Sequence, residues 1–388
     1  MSLLQYKERK GTSCAKWDQL GDRFGDPDLL ALWVADMDFK EPACVTKALR
    51  DYLESTPFGY YLPSQGYREA FIEWEARYHG YRPDPSWLCF APGVMPAISW
   101  ILQFSTQPGD AVILLTPIYY PFMEAVQRNG RRLVPCSLAR SGMDYSIDFD
   151  RFEQEILKSH AKLFLMSSPH NPVGRVWTPA ELRQLMEICR RHGVLVVSDE
   201  IHQDFTFAGH LHYPTASLGD YNEFLITVTA PSKTFNLAAL QNAIVIIPDP
   251  KLRQAYQRCL YQIRYETGNA FGYIAAQAAF REGRPWLEEL LAYIYGNYLL
   301  IRQSLEQAAP DIRCTPLQGT YLLWISFESR FKTHSEMTAF AQERCRIAPD
   351  YGSWFGGDEF APFIRLNLAT SRQNIETAIH AILRELGR

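Results

Sequence analysis

Four short apolar runs constrain this chain more than any other feature: "DAVILLT" (110–116), "KLFLMSS" (162–168), "GVLVVSD" (193–199) and "FLITVT" (224–229). None shows the polar alternation of a strand that is wet on one face, so each reads as a strand covered on both faces. Between them, "PAELRQLMEICRRHG" (179–193) sets Leu182, Leu185, Met186 and Cys189 at helical spacing. Thr178 predicts the N-cap of that helix, with Pro179 in its first turn and Glu181 three residues after the threonine; Gly193 predicts its end. Doubly covered strands alternating with helices require an α/β sheet, largely parallel. In such sheets ligands bind beyond the carboxyl ends of the strands.

Each run leads into a polar or aromatic group. After the first comes Tyr119, after the second Asn171, at the end of the third Asp199 and His202, and after the fourth Lys233. Singly, each has an ordinary reading: Lys233 a surface or capping lysine, Asp199 a helix cap, Asn171 a turn residue before proline, Tyr119 a core ring. Together they bring an amine, a carboxylate, an amide and a flat ring to one rim, the set a pyridoxal 5′-phosphate site requires. Lys233 would join the aldehyde carbon and later act as base and acid at the substrate α-carbon. A carboxylate would hold the pyridine nitrogen protonated, an amide would bind the phenolate oxygen, and a ring would stack. A phosphate needs backbone N–H groups at a helix start, and "APGVMPAI" (91–98) offers a glycine turn running into an apolar helix.

The strings "SSPHNPVG", "VVSDEIHQD" and "TAPSKTFNL", in that order and spacing, resemble the fold-type I, class I/II aminotransferase family of pyridoxal-phosphate enzymes. The resemblance implies a large domain with a mostly parallel seven-stranded sheet sandwiched by helices, plus a smaller α+β domain. It implies Lys233 as the Schiff-base lysine and Asp199 as the pyridinium partner. Asn171 would bind the phenolate oxygen, His202 would stand where aminotransferases usually carry a tyrosine for that oxygen, and Tyr119 would stack. Gly93, Val94 and Met95 would cradle the phosphate with Ser232, and Arg365 in "FIRLNLA" would fork onto the substrate carboxylate. Tyr60 in "FGYYLPSQGYREA", with Tyr61 the neighbouring choice, would reach across a homodimer interface to the partner's phosphate.

Ala230 and Gln241 depart from the family, which often has a serine three residues before the lysine and an arginine eight after it. These departures, with "VADMDF" (34–39), "FGY" (58–60), "DEIH" (199–202) and "SKTFN" (232–236), resemble the cystathionine β-lyase branch of carbon–sulfur lyases. That branch implies α,β-elimination from a sulfur amino acid; transamination shares the Lys233 chemistry and stays as the alternative. Asp36 and Asp38 read as turn or capping residues.

At 388 residues the chain calls for two domains, 45–285 as the large one and 1–44 with 286–388 as the small one. A net charge of −4 without a basic stripe speaks against a nucleic-acid partner. No apolar window is long enough for a membrane span and the first residues do not form a secretory signal, so the expectation is cytoplasmic. The eight cysteines stand singly with no CxxC pair, which reads as small buried hydrophobes. One reading from another class treats Asp199, Glu200, His202, Asp204, His210 and His212 as metal ligands of a hydrolase or binding module. It leaves Lys233 and Asn171 without a role.

Overall fold

The structure, a computed structural model, describes residues 2–387. Seven strands form the large sheet: β1 (Leu88–Ala91), β2 (Ala111–Thr116), β3 (Arg132–Ser137), β4 (Leu163–Ser167), β5 (Leu195–Asp199), β6 (Leu225–Thr229) and β7 (Ala243–Ile246). Their order across the sheet is β1-β7-β6-β5-β4-β2-β3, and only β7 runs antiparallel to its neighbours.

The apolar runs sit in the middle of this sheet because both faces are covered. Val112, Leu114, Leu165 and Val197 pack on one side with the helices Val94–Ser105 and Pro250–Gln262. Ile113, Leu115, Phe164 and Val196 alternate onto the other side with Phe149–Ser159 and Pro179–His192. Period-two alternation therefore feeds two cores, each residue contributing about 1.5–3 kcal/mol of burial. Strand β3 lies at the edge, where Pro135 is tolerated since its missing N–H faces no partner. The helix Pro179–His192 starts with the reciprocal Thr178–Glu181 capping box and stops at Gly193, whose φ of 63° suits glycine.

Register aligns the site. Ser167 pairs opposite Asp199, and Asp199 opposite Val228, so β4, β5 and β6 end at one rim. Because β7 is reversed, its first residue Ala243 pairs with Ala91 at the end of β1. Asn242 and Gly93 therefore reach the same rim from opposite chain directions.

A second, antiparallel sheet follows the 25-residue helix Arg284–Ala308. It comprises β8 (Arg313–Cys314), β9 (Leu322–Ser326), β10 (Asp350–Tyr351) and β11 (Phe363–Asn367), in the order β8-β9-β11-β10. The N-terminal segment joins this part of the chain: Leu30–Ala31 pairs in parallel with Ile347–Ala348. Among the described residues no helix is long and apolar enough to cross a membrane. Five of the eight cysteines are buried and all are free, as small apolar fillers.

Candidate active site

The strand-end rim opens into a cavity of about 210 Å³ lined by Gly93, Val94, Met95, Tyr119, Asn171, Asp199, His202, Ser232 and Lys233, together with Ala35 and Asn242. Nine residues singled out from the sequence thus meet in one place.

Lys233 sits in the four-residue helical turn Pro231–Thr234 that follows β6. Its Nζ donates to the carbonyl of Ala35 at 2.7 Å. Burial lowers its pKa from the usual lysine value, with Asp36 the largest opposing influence, so the neutral amine is more accessible than on a surface lysine. Asp199 closes β5 and accepts the Ile201 N–H at 3.0 Å. Among the described residues no cation stands within ion-pair distance of it, and burial pushes its pKa up to about 7.

His202 is buried and its Nδ1 finds no hydrogen-bond partner among the described residues. Burial, then the charges of Lys233 and Arg365, drives its pKa well down, so the ring is neutral. Its edge meets Tyr321 at 5.6 Å between centroids. Tyr119 caps the helix Tyr120–Arg128, with its ring edge-on to Phe122 at 5.5 Å. Gly93 caps the 12-residue helix Val94–Ser105, so the backbone of Gly93, Val94 and Met95 forms the N-terminal end of a helix at the cavity.

Arg365 stands behind this ring of residues. Its Nη1 donates to Asn171 Oδ1 at 2.8 Å, its Nη2 pairs with Asp350 on the neighbouring strand, and its guanidinium lies 4.8 Å over the Phe355 ring. Tyr60 does not reach the cavity of its own chain; it is fully exposed at 112%, beside a half-buried Tyr61.

The six residues of the metal reading separate. Asp199 and His202 face the cavity. Glu200 turns away onto His212 (3.2 Å), Ser198 Oγ and the Thr215 N–H. Asp204 faces His79 at 2.9 Å, and His210 is exposed. Among the described residues no three metal-ligating side chains converge. The cause is local: along the turns after β5, Asp199 and His202 face the cavity while Glu200 and Asp204 leave on the far side, so adjacency in the string does not become adjacency in space.

Sequence reasoning missed the groups behind the cavity. Asp38 is not a turn residue but the buried partner of Lys16 (2.6 Å), further held by Trp17 Nε1. Asp350 and Thr234 were likewise unmarked in the strings, and Asp204 was marked only as a candidate metal ligand. The acid-rich string "DEIHQD" was the signal for Asp204.

The aminotransferase class I and II model matches residues 27–382. The chain is 37% identical over 384 residues to cystathionine beta-lyase PatB of Bacillus subtilis (strain 168), covering 98% of this chain and 99% of that one. To protein MalY of Escherichia coli (strain K12) it is 31% identical over 382 residues, covering 97% and 96%. Cystalysin from Treponema denticola, whose crystal structure contains a pyridoxal 5′-phosphate cofactor, superposes with a TM-score of 0.95 at 31% identity, covering 100% of this chain and 98% of that one. With a seven-stranded sheet of this order, a lysine and a carboxylate at neighbouring strand ends and similarity along its whole length, the chain belongs to the aminotransferase class I and II family.

Proposed function

We propose that the chain is a pyridoxal-phosphate-dependent carbon–sulfur β-lyase that cleaves a sulfur amino acid to pyruvate, ammonia and a thiol. The observation that carries this reading is the convergence of Lys233, Asp199, Asn171, His202 and Tyr119 on one cavity beside a helix N-terminus. Full-length similarity to proteins named cystathionine beta-lyase selects elimination over transamination.

The residues fit the cofactor in three independent respects. Asp199 is a buried carboxylate with no ion-pair partner among the described residues, and a protonated ring nitrogen would supply one. His202 lines the cavity and, among the described residues, its buried Nδ1 has no partner. A Cβ on Gly93 would meet only Pro96, at an ordinary 3.6 Å, so the chain itself does not demand glycine there; close approach of a phosphate to the backbone would.

Lys233 would carry the group through its amine, with Asn171 and His202 on its phenolic oxygen and Tyr119 on its face. The N–H groups at the start of Val94–Ser105 and the Ser232 hydroxyl would hold its phosphate. When bound, pyridoxal phosphate supplies an electron-withdrawing ring that makes the substrate α-proton removable. Lys233, once the substrate's amine has displaced it from the group, would take that proton, and burial lowers its pKa towards the neutral form that the task needs. The substrate's Cβ–S bond then breaks with both electrons on sulfur, and a thiolate needs little help from an acid. Arg365 binds the substrate carboxylate, held in orientation by Asn171 and Asp350.

The active unit is a homodimer in which Tyr60 of one protomer reaches the phosphate of its partner. In support, Phe58, Tyr60 and Leu62 are exposed together, and a second cavity of about 420 Å³ lies between Pro63, Tyr67, Phe90 and Tyr261. The division into a large domain (45–285) and a small one (1–44 with 286–388) is supported by the pairing of residues 30–31 with 347–348.

The test supplies L-cystathionine or L-cysteine without a keto acid; pyruvate and ammonia are expected. Turnover that requires an added keto acid would overturn elimination in favour of transamination.

A further inference from the structure

Thr234 directly follows Lys233 and points the other way. Its hydroxyl donates to Asp204 Oδ2 at 2.6 Å. The opposite oxygen, Oδ1, accepts from Trp74 Nε1 at 3.0 Å and faces His79 Nε2 at 2.9 Å. Every member of this group is buried or nearly so, and none lines the cofactor cavity.

The group is built, not incidental. Trp74 ends the α-helix Gln65–Trp74, and the chain then continues as a π-helical segment, Glu75–His79. Such widened turns are rare and concentrate at functional sites. Here the segment carries two side chains inward: His79 onto Asp204, and Glu75 onto Gln203 Nε2. Burial would favour a neutral Asp204, yet His79, Thr234 and Trp74 hold its pKa down, while His79 rises to about 9. At neutral pH the pair is therefore an anion and a cation.

The turn that bears Lys233 needs such an anchor. Its backbone is held by the Phe235 N–H on Pro231 and the Leu237 N–H on Ser232, and one turn of helix has little stability of its own. A charge-assisted hydrogen bond to a buried carboxylate adds direction that those bonds lack.

We propose that Asp204, held by Trp74 and His79, is a positioning residue for Lys233, acting through the Thr234 hydroxyl to fix the rotation of the Pro231–Thr234 turn. This rests on the reading of Lys233 as the amine that captures pyridoxal phosphate and moves the α-proton.

The experiment compares wild type with Thr234→Val, Thr234→Ala and Thr234→Ser. Cofactor-free protein is mixed with pyridoxal phosphate; the rate at which the visible band of the lysine-bound cofactor grows is measured, then the pH midpoint of that band, then kcat and KM. Val and Ala variants are expected to load about tenfold more slowly, with a shifted midpoint and a kcat about tenfold lower at little-changed KM, the scale of one lost charge-assisted bond. Ser, which restores the hydroxyl, is expected to recover all three. Variants that load, titrate and turn over like wild type, whatever their melting temperatures, would overturn the inference while the cofactor reading stands. Wild type that forms no visible band would overturn both.

Discussion

The segment Asp199–Asp204 has two sides, and they are satisfied differently. On the cavity side, among the described residues, Asp199 holds one backbone N–H and no ion-pair partner, and His202 has a nitrogen without a partner. On the far side, Glu200 collects His212, Ser198 and the Thr215 N–H, and Asp204 collects His79, Trp74 and Thr234. Their acidities follow: burial, with the Glu200 charge beside it, pushes Asp199 up to about 7, whereas partners pull Glu200 and Asp204 below the ordinary range against similar burial. Polar groups that a fold uses for itself are paired within the chain. Those left short of partners at a cavity are the ones a ligand completes.

The sharpest way to break this contrast is at the cavity. Lys233→Ala should abolish the visible band and lower lyase turnover about 10⁴-fold, with the melting temperature little changed. Spectra, pyruvate release and a thermal scan on one preparation check all three. On the far side the expected loss is stability. Glu200→Ala strips His212 of its buried partner and should cost about 3 kcal/mol in chemical denaturation. A cost below about 1 kcal/mol would mean that this side is as loosely held as the cavity.

Asp199→Asn should invert that pattern. Cofactor affinity and turnover should fall about 100-fold, as expected when a protonated ring nitrogen loses its counter-charge. The cofactor-free protein, relieved of an uncompensated buried carboxylate, should hold or gain stability.

The smallest effects are pH slopes in the cofactor-free protein. Asp199 has a pKa raised from 3.8 to about 7, so its contribution is fully present below 3.8 and is lost as pH rises towards 7. His79 is raised from 6.5 to about 9, so its contribution is lost between 6.5 and 9. Asp199→Asn should flatten the lower window and His79→Gln the upper one, each by a few kcal/mol at most. Denaturation midpoints across pH 4 to 9 read both.

Much of the cavity side was legible from the string because local rules reach it. A wholly apolar run of five or six residues makes a covered strand, parallel strands share a carboxyl edge, and the residue after each run lands on that edge. Tyr119, Asn171, Asp199 and Lys233 needed no more than this. The far side was opaque for an equally physical reason. His79 and Asp204 are 125 residues apart, and Trp74 and Asp204 130 apart, so no periodicity links them. Asp204 was read as one possible metal ligand among six because letters do not say which side of a turn a carboxylate leaves. Asp38 looked like a capping residue, since nothing near it in the string announces Lys16, 22 positions earlier.

By itself the string determined the layered α/β architecture, the four strand ends and the chemistry of the groups upon them, since each follows from spacing within a few residues. Tertiary structure alone decided which of those groups are short of partners and which are spoken for. It set Asp199 and His202 against open space, and gave Glu200 to His212 and Asp204 to the distant His79. The physical reason is that an ionisable group's charge and orientation depend on everything within a few ångströms of it, and most of those neighbours arrive from remote parts of the chain.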